Sequence, residues 1–449
     1  MNFLIDLPRW LLLGLILYAP WAYGSIPTPW CEGLIFGSYL VLTLWITTLI
    51  LRRRINYLNR YSLFFVLLIL AQGLWMTFNA RFNYDNDFTQ FIPLNPFFAS
   101  LCGSIDQETS QSNIIQLGAF LGIALMVCDI SQNPFWRNRI VITICLSGLS
   151  IICLGLIQHL MDFLLLYPKR NNVWPFATYY YHGNAGAYMN LVLPFIIGRL
   201  ILSFREPEHH IQHSLWICIG AIAIAGPFIN ASKGATPITI LILFFWGIWQ
   251  IKRQLFHLSQ AKSILTLLSL ALILFLSFTF LIYVIGPQIA IDRWTSALSS
   301  SGQFARGRLI TAEVCLKMVP RSGAWGFGPD TFHIAFPYFT NEYGNKIAGF
   351  WRYAHMDYLE TLVEWGLIGS MTWGMLFFGG IVRVIRNYFK LYDHYSSKDR
   401  ILIFSLMLAL IGIGIHMAYD FPLQIPSLQF YTLLMLGMAY GSGRWADVE

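Results

Sequence analysis

Charged residues are scarce in this sequence. Only 11% of the 449 residues are Asp, Glu, Lys or Arg, whereas 56% are hydrophobic. The mean hydropathy of +0.57 is far above that of water-soluble proteins. The only long polar segments are roughly 81–112 and 286–354, so a water-soluble domain of ordinary size is excluded. The composition predicts an all-α, polytopic membrane protein with a single transmembrane domain over residues 1–449.

The motifs of several common protein classes are also absent. The seven cysteines are scattered without Cys-x-x-Cys or Cys-x-x-His spacing, so neither structural zinc nor a disulfide framework is expected. No Walker loop, dinucleotide fingerprint or nucleophile elbow is found. The net charge of +7 does not indicate a nucleic-acid partner, because in a membrane protein such an excess belongs to the cytoplasmic loops.

What the sequence has instead is a series of apolar runs of membrane-spanning length. Arg52-Arg53-Arg54 follows the second run, which predicts that the N-terminus is cytoplasmic. With both termini inside, the outer side receives few basic residues apart from the long loop, so the topology is consistent throughout. The pattern predicts about twelve transmembrane helices, at Leu7–Tyr23, Gly33–Leu51, Ser62–Ala80, Ile114–Ile130, Ile140–His159, Ala185–Ser203, Leu215–Ile229, Ala235–Gln250, Ser263–Ile285, Tyr358–Ile385, Ile401–Ala418 and Ser427–Gly441.

One long extracytoplasmic loop, residues 286–355, separates the ninth and tenth predicted helices. Helical spacing of apolar residues predicts a short surface helix at Leu309–Val319, ended by Pro320. The Gly- and Pro-rich stretch Ser322–Asp330 predicts a tight loop. Asp357 and Glu360 have the spacing of a helix-capping pair, which places His355 just before the tenth membrane helix.

The loop carries residues suited to phosphate chemistry. Arg306 and Arg308 offer permanently charged, bidentate donors for phosphate oxygens. His355 is of the residue type that accepts a proton from a hydroxyl near neutral pH. Alternatively, the arginines only meet anionic lipid head groups, which leaves His355 without a role.

Two shorter segments are further candidates. Lys233 lies in the turn Ser232–Ala235 and points either toward the interior of the bundle or, as a snorkelling side chain, toward the membrane interface. We expect Tyr179–Ala185, a polar aromatic lead into a helix, to lie near this turn. The alternative for these tyrosines is an interfacial aromatic belt.

Two acidic residues and a histidine cluster are weaker candidates for a functional site. Asp85 and Asp87 in an outer loop suit a divalent cation, but turn residues are the favoured interpretation. His209, His210 and His213 are interpreted as part of a solvated cytoplasmic connector.

Several of these segments together resemble the O-antigen ligase and polymerase superfamily. The resemblance covers about Tyr180 to Leu433 and is most specific at Ala354–Gly369. Its other elements are Gly307-Arg308, Gly326–Phe332, Ser232–Ala235, Asn184–Pro194, and His416 with Asp420–Pro426.

The resemblance implies a glycosyltransferase of the GT-C kind in the bacterial inner membrane, with its active site on the periplasmic face. It would move a glycan from undecaprenyl diphosphate to an acceptor hydroxyl, most like O-antigen ligation to the lipid A core in lipopolysaccharide biosynthesis. The reaction would be inverting and would need no metal or other cofactor. Its partners would be the lipid-linked glycan, the acceptor and membrane lipids.

The family's residue roles carry over to several positions. His355 and Arg308 would be catalytic, and the cations Lys233, Arg306, Arg308 and Arg352 would bind the diphosphate. The acceptor or the catalytic groups would be positioned by Tyr181, His182, Asn184 and Asp357. This chain has Lys233 where the family usually has Arg, and Asn184 where a His is frequent.

Two other functions stay open. A polysaccharide polymerase of the same superfamily would use the same site with a different acceptor. A small-anion transporter, such as one for bicarbonate, would line its route with Lys233, Arg308 and His355. Such a transporter favours charged or broken helices near mid-membrane and internal repeats, and neither is clear in the sequence.

Overall fold

The fold is a bundle of helices with one small β-hairpin among the residues described. The computed structural model describes residues 2–52, 57–85, 87–161, 166, 175–204, 210–256, 303–347 and 349–447. In these ranges the helices are α1 Asn2–Trp21, α2 Thr28–Arg52, α3 Arg60–Phe78, α4 Gln107–Ile130, α5 Pro134–Met161, α6 His182–Ser203, α7 His210–Asn230, α8 Ala235–Phe256, α9 Gln303–Ser322, α10 Phe332–Ala335, α11 Asp357–Lys390, α12 Ser397–His416 and α13 Pro426–Gly441.

Eight of the described helices are long and apolar enough to cross a membrane, namely α2 to α7, α11 and α12. The shorter α8 adds an apolar stretch, Ala235–Ile251. The predicted fold class, an all-α polytopic membrane protein, is therefore confirmed. Eleven of the twelve predicted apolar runs fall on described helices. The remaining run, Ser263–Ile285, lies outside the described residues, as does the start of the predicted loop at 286–302.

The central helix of the bundle is α6. Nearly all of its side chains are buried, and it packs against α5, α7, α8 and α12. Gly186 allows a close approach, because an added Cβ there would lie 2.4 Å from the Cβ of Ala235 at the start of α8. The N-terminal end of α6 is thereby fixed against the turn that contains Lys233.

Helix α11 is broken near its start. Gly366 has φ 63° and ψ −169°, a conformation that is essentially restricted to glycine. The break frees backbone carbonyls, and the loop after α9 supplies donors to them: Phe327 N–H binds Val363 O at 3.0 Å, and Gly328 N–H binds Glu364 O at 2.9 Å. The Gly- and Pro-rich segment therefore forms a tight loop, as predicted, and it is docked against the broken helix.

Two details of the predicted loop are wrong. The surface helix does not end at Pro320 but runs from Gln303 to Ser322, because a proline in the last turn interrupts few helical hydrogen bonds. Gly323, with φ 63°, provides the left-handed residue that ends it. Asp357 and Glu360 do not form a capping pair, since Met356 is the N-cap of α11 and has no side-chain cap.

The small hairpin pairs β1, Phe82–Asp85, with β2, Gln90–Pro93, in antiparallel register. Oδ1 of Asp85 accepts hydrogen bonds from the N–H groups of Asp87 at 2.9 Å and Phe88 at 3.2 Å. This confirms the interpretation of Asp85 as a turn residue. Of the histidine cluster, His210 and His213 lie on α7 and not in a connector, and the His213 ring stacks on Phe204 with the centroids 5.7 Å apart. His209 lies outside the described residues.

Candidate active site

His355 has an unusual backbone conformation. It precedes α11 by two residues and has φ 55°, in the left-handed region that non-glycine residues seldom occupy. Such residues are concentrated at functional sites, where the surrounding structure holds them in place. The neighbouring Ala354 N–H donates to Oε2 of the buried Glu360 at 2.6 Å. Glu360 thus anchors the segment that presents His355.

The His355 ring faces a buried carboxylate. Its Nδ1 lies 3.3 Å from Oδ1 of Asp420, and the two side chains are 26% and 6% exposed. Asp420 lies in the segment that follows α12. When Nδ1 carries the ring proton, Nδ1–H donates a hydrogen bond to Asp420. The other ring nitrogen, Nε2, is then unprotonated and can accept a proton.

Asp420 is the centre of a network of polar groups. Its Oδ2 accepts a hydrogen bond from the Tyr181 hydroxyl at 3.2 Å and lies 3.7 Å from Nε2 of His416. Burial acts to raise the pKa of the Asp420 carboxyl, but contacts with His355 and His416 and the charge of Arg308 outweigh it and hold the pKa below its ordinary range. Asp420 is therefore an anion throughout the physiological pH range.

Arg308 joins this network from α9. Its Nη1 donates to the backbone oxygen of Tyr419 at 3.0 Å, and its Nη2 donates to the Tyr181 hydroxyl at 3.2 Å. Burial raises the pKa of Tyr181, so its hydroxyl stays protonated and can donate to Asp420. Tyr181 thus connects the guanidinium and the carboxylate.

The Lys233 turn lies at the edge of the same site. The Tyr419 hydroxyl donates to Gly234 O at 2.6 Å, and the Tyr419 backbone oxygen accepts from Arg308. One tyrosine therefore connects the turn and the arginine. Lys233 itself is exposed, which leaves its ammonium group accessible at the edge of the site.

The lead into α6 also meets this turn, as predicted. The Nδ2 of Asn230 donates to His182 O at 2.8 Å. The Tyr181 ring stacks on Phe421 with its centroid 5.7 Å away, next to Asp420. Asn184 is buried in the first turn of α6, so its side chain does not lie on the surface of the site.

Three predicted site residues have other surroundings. Asp357 is buried, and its Oδ2 accepts the Leu423 N–H at 2.9 Å. Its own N–H donates to Asp420 O at 3.3 Å, so it fixes the Asp420 segment. The backbone of Arg306 lies in the first turn of α9, and its side chain is outside the described structure.

Arg352 forms a separate ion pair with Asp330, with Nη2 and Oδ2 2.8 Å apart, and contacts the His333 ring. Burial outweighs the charge of Arg352 and raises the pKa of Asp330 to about 6. Burial and the same charge lower the pKa of His333 to about 4. At neutral pH this cluster therefore contains one anion, one cation and a neutral ring.

Asp420 and Tyr419 were missed as site residues in the sequence analysis. Two signals pointed to Asp420: it belongs to an element of the superfamily resemblance, and it lies one helical turn after His416 at the end of an apolar run. Its relation to His355 spans 65 residues of chain, which no spacing rule captures.

Comparison with known proteins agrees with the geometry. Residues 218–374 match the family model described as O-antigen ligase, a region that contains Lys233, Arg308 and His355 but not Tyr181 or Asp420. No curated protein matches the chain significantly. The family match supports a glycosyltransferase-like enzyme of ligase or polymerase type with a lipid-linked glycan and an acceptor as partners. This match over residues 218–374 supports the resemblance of the chain to the O-antigen ligase superfamily.

Proposed function

We propose that this protein is a metal-independent, inverting glycosyltransferase of the GT-C kind. It moves a glycan from undecaprenyl diphosphate to an acceptor hydroxyl, in a reaction most like O-antigen ligation to the lipid A core. The observation that carries this proposal is the convergence of the His355–Asp420 pair with Arg308 and the Lys233 turn at one end of the bundle.

The acceptor side of the reaction uses His355. Its Nε2 takes the proton of the acceptor hydroxyl as the hydroxyl oxygen attacks the anomeric carbon of the donor sugar. The anionic Asp420 stabilises the imidazolium that forms and keeps the ring oriented. A bond forms between the acceptor oxygen and the anomeric carbon on the face opposite the diphosphate, which inverts the configuration.

The donor side uses the cations. The bond between the anomeric carbon and the diphosphate oxygen breaks, and its electron pair leaves with undecaprenyl diphosphate. Arg308 and Lys233 stabilise the charge that develops on the leaving group, as positioned cations do in other transfer reactions. Arg308 is held for this by Tyr419 and Tyr181, which leaves further guanidinium donors for phosphate oxygens.

The site belongs on the periplasmic face of the bacterial inner membrane, with both termini in the cytoplasm. This proposal rests on the distribution of basic residues between the loops. A lipid-linked donor can reach the site from the membrane, because His355 lies at the start of the membrane helix α11.

A polymerase would carry out the same chemistry as a ligase, and the two functions would differ only in the acceptor. An anion transporter is less well supported, since Lys233, Arg308 and His355 lie outside the spanning segments. The break in α11 at Gly366 is a feature that a transporter would share. The lipid A core is therefore tested first as acceptor, for the ligase hypothesis, and a second carrier-linked glycan is tested next, for the polymerase hypothesis.

The deciding experiment is transfer by the purified protein from undecaprenyl diphosphate-linked glycan in the presence of EDTA. We expect wild-type transfer to persist with EDTA and to be lost in His355→Ala and Arg308→Ala. Two matched controls should keep wild-type activity: His394→Ala, an exposed histidine at the other end of α11, and Arg321→Ala, an exposed arginine on α9.

Transfer that stops with EDTA in the wild type would overturn metal independence. Full activity of folded His355→Ala would overturn the assignment of the base. No transfer to either acceptor by folded wild type would favour the transporter.

A further inference from the structure

A groove that is separate from the candidate active site lies between α3 and α11. Its volume is about 360 Å³, and its lining includes Phe65, Met375, Gly379, Arg383 and Arg386. Arg383 lies 17 residues beyond the break at Gly366, which at a rise of about 1.5 Å per residue is about 26 Å along the helix. The groove is therefore at the end of the bundle opposite His355, which the sequence predicts to be cytoplasmic.

The lining changes from apolar to basic along the groove. Phe65, Met375 and Gly379 form the part toward the middle of the membrane, and Arg383 and Arg386 form the part at the helix end. An amphipathic molecule with an apolar chain and an anionic head fits this order.

The groove opens to the lipid side of the bundle. Met375 is 51% exposed, Val382 is 62% exposed and Tyr61 is 53% exposed. These residues belong to membrane-spanning α3 and α11, so in a bilayer they face acyl chains and head groups.

The positive charge of the groove has no ionic partner among the residues that the structure describes. No Asp or Glu lines the groove, and neither arginine forms an ion pair with a carboxylate among the described residues. Arg383 donates to the Tyr57 hydroxyl at 3.2 Å, while its buried Nε has no hydrogen-bond partner within the described part of the chain. The exposed guanidinium of Arg386 is free to donate to an anionic head group.

A larger cavity at the same end, about 520 Å³, has a different character. Its lining includes Asp399, which pairs with Arg137 at 2.8 Å. A carboxylate in the lining disfavours a phosphate ligand, so the charge pattern selects the groove on α11.

We propose that this groove binds an anionic phospholipid of the surrounding leaflet. The phosphate is held by Arg383 and Arg386, and an acyl chain lies along Gly379, Met375 and Phe65. Basic pockets between membrane helices commonly take such head groups. The proposal is independent of the transfer reaction.

The test is lipid binding to the purified full-length protein in detergent, followed by native mass spectrometry. Phosphatidylglycerol should bind at least about tenfold more tightly than zwitterionic phosphatidylcholine. Arg383→Gln/Arg386→Gln should weaken phosphatidylglycerol binding on the order of 30-fold, because each basic residue near an anionic lipid surface contributes roughly fivefold. The matched control is Lys390→Gln, an exposed cation one turn beyond Arg386, and it should bind like the wild type.

Two single variants keep the test valid should the double variant fold poorly. Arg386→Gln changes an exposed side chain and should weaken binding about fivefold. Val382→Trp fills the apolar part with both arginines intact and should weaken binding of the lipid as well. Unchanged binding in both, or equal binding of the two lipids, would overturn the proposal. Displacement of the lipid by millimolar inorganic phosphate would instead identify a site for soluble anions.

Discussion

At the scale of single residues, the catalytic role of His355 depends on a carboxylate that orients its ring. Asp420 is 6% exposed and lies 3.3 Å from Nδ1 of His355. In Asp420→Asn the side-chain shape is retained but the negative charge is lost. We expect kcat to fall about 100-fold, within the range attributed to general bases, while KM for the donor changes little. Steady-state kinetics with both substrates measure this.

The dependence of transfer activity on pH further tests the role of Asp420. The pKa of Asp420 lies below its ordinary range, so this carboxylate stays ionised between pH 5 and 9 and contributes no acidic limb to the wild-type profile. Asp393→Asn, which changes an exposed carboxylate at the other end of α11, is the control. A proportional rise in donor KM with unchanged kcat would assign Asp420 to donor binding instead.

Lys233 differs from the arginine that is usual in the family. Lysine holds phosphate as a point charge, whereas arginine binds it with a planar fork. Because Lys233 is exposed and its neighbour Gly234 contacts the Tyr419 hydroxyl, an arginine has room there. We expect Lys233→Arg to lower KM for the donor and Lys233→Gln to raise it about tenfold. Equal donor KM in all three proteins would return Lys233 to a snorkelling role.

Residue types were enough to select His355, Arg308 and Lys233 from the sequence, and the structure brings these three segments to one end of the bundle. Their roles stay predictions. The partners Asp420 and Tyr419 were not accessible in this way, because the contacts that define them cross from α12 to α9, α11 and the Lys233 turn. Arg352 was selected by its residue type and its position in the long loop, but its guanidinium is paired with the carboxylate of Asp330.

At the scale of elements, the break in α11 is what fixes the loop after α9. An added Cβ at Gly366 would lie 2.4 Å from Gly326 N, and the φ of 63° excludes other residues. Gly366→Ala should therefore destabilise the protein by on the order of 3 kcal/mol and reduce transfer, because the loop and the His355 segment share this support. Thermal unfolding in detergent and the transfer assay measure the two effects.

The control on the same helix is Gly374→Ala. An added Cβ there meets only Phe378, at 3.9 Å, and alanine is favoured over glycine inside a helix by about 1 kcal/mol. This variant should be as stable as the wild type or more stable. If Gly366→Ala behaves in the same way, the break has no structural importance.

The positions of the described membrane helices were predicted well from hydrophobicity, because each membrane helix requires a long apolar run in the sequence. Ends were less predictable. Pro320 looked like a helix stop, yet the helix continues to Ser322 and ends at Gly323. The break at Gly366 was hidden because the apolar pattern continues through it, and only the backbone angles and the docked loop reveal it.

At the scale of the whole molecule, α6 and α12 connect two ends with different chemistry. The N-terminal end of α6 and the C-terminal end of α12 carry Tyr181 and His416, which meet at Asp420. Their other ends lie beside the paired Arg137 and Asp399. Because the same helices support both ends, the side of the membrane that receives the Asp420 site is decided by the orientation of the entire bundle.

The orientation can be tested with one natural cysteine. Cys102 is exposed, and its neighbour Ser104 donates its N–H to Met76 O near the end of α3, beside the loop docked on α11. Cys102 should therefore react with a membrane-impermeant maleimide added to intact spheroplasts, and Cys102→Ser should abolish this labelling. Lys390→Cys at the far end of α11, in a background that lacks both exposed natural cysteines (Cys102→Ser/Cys218→Ser), should react only after permeabilisation. The reverse pattern would place the His355 site in the cytoplasm, where a periplasmic ligation is impossible.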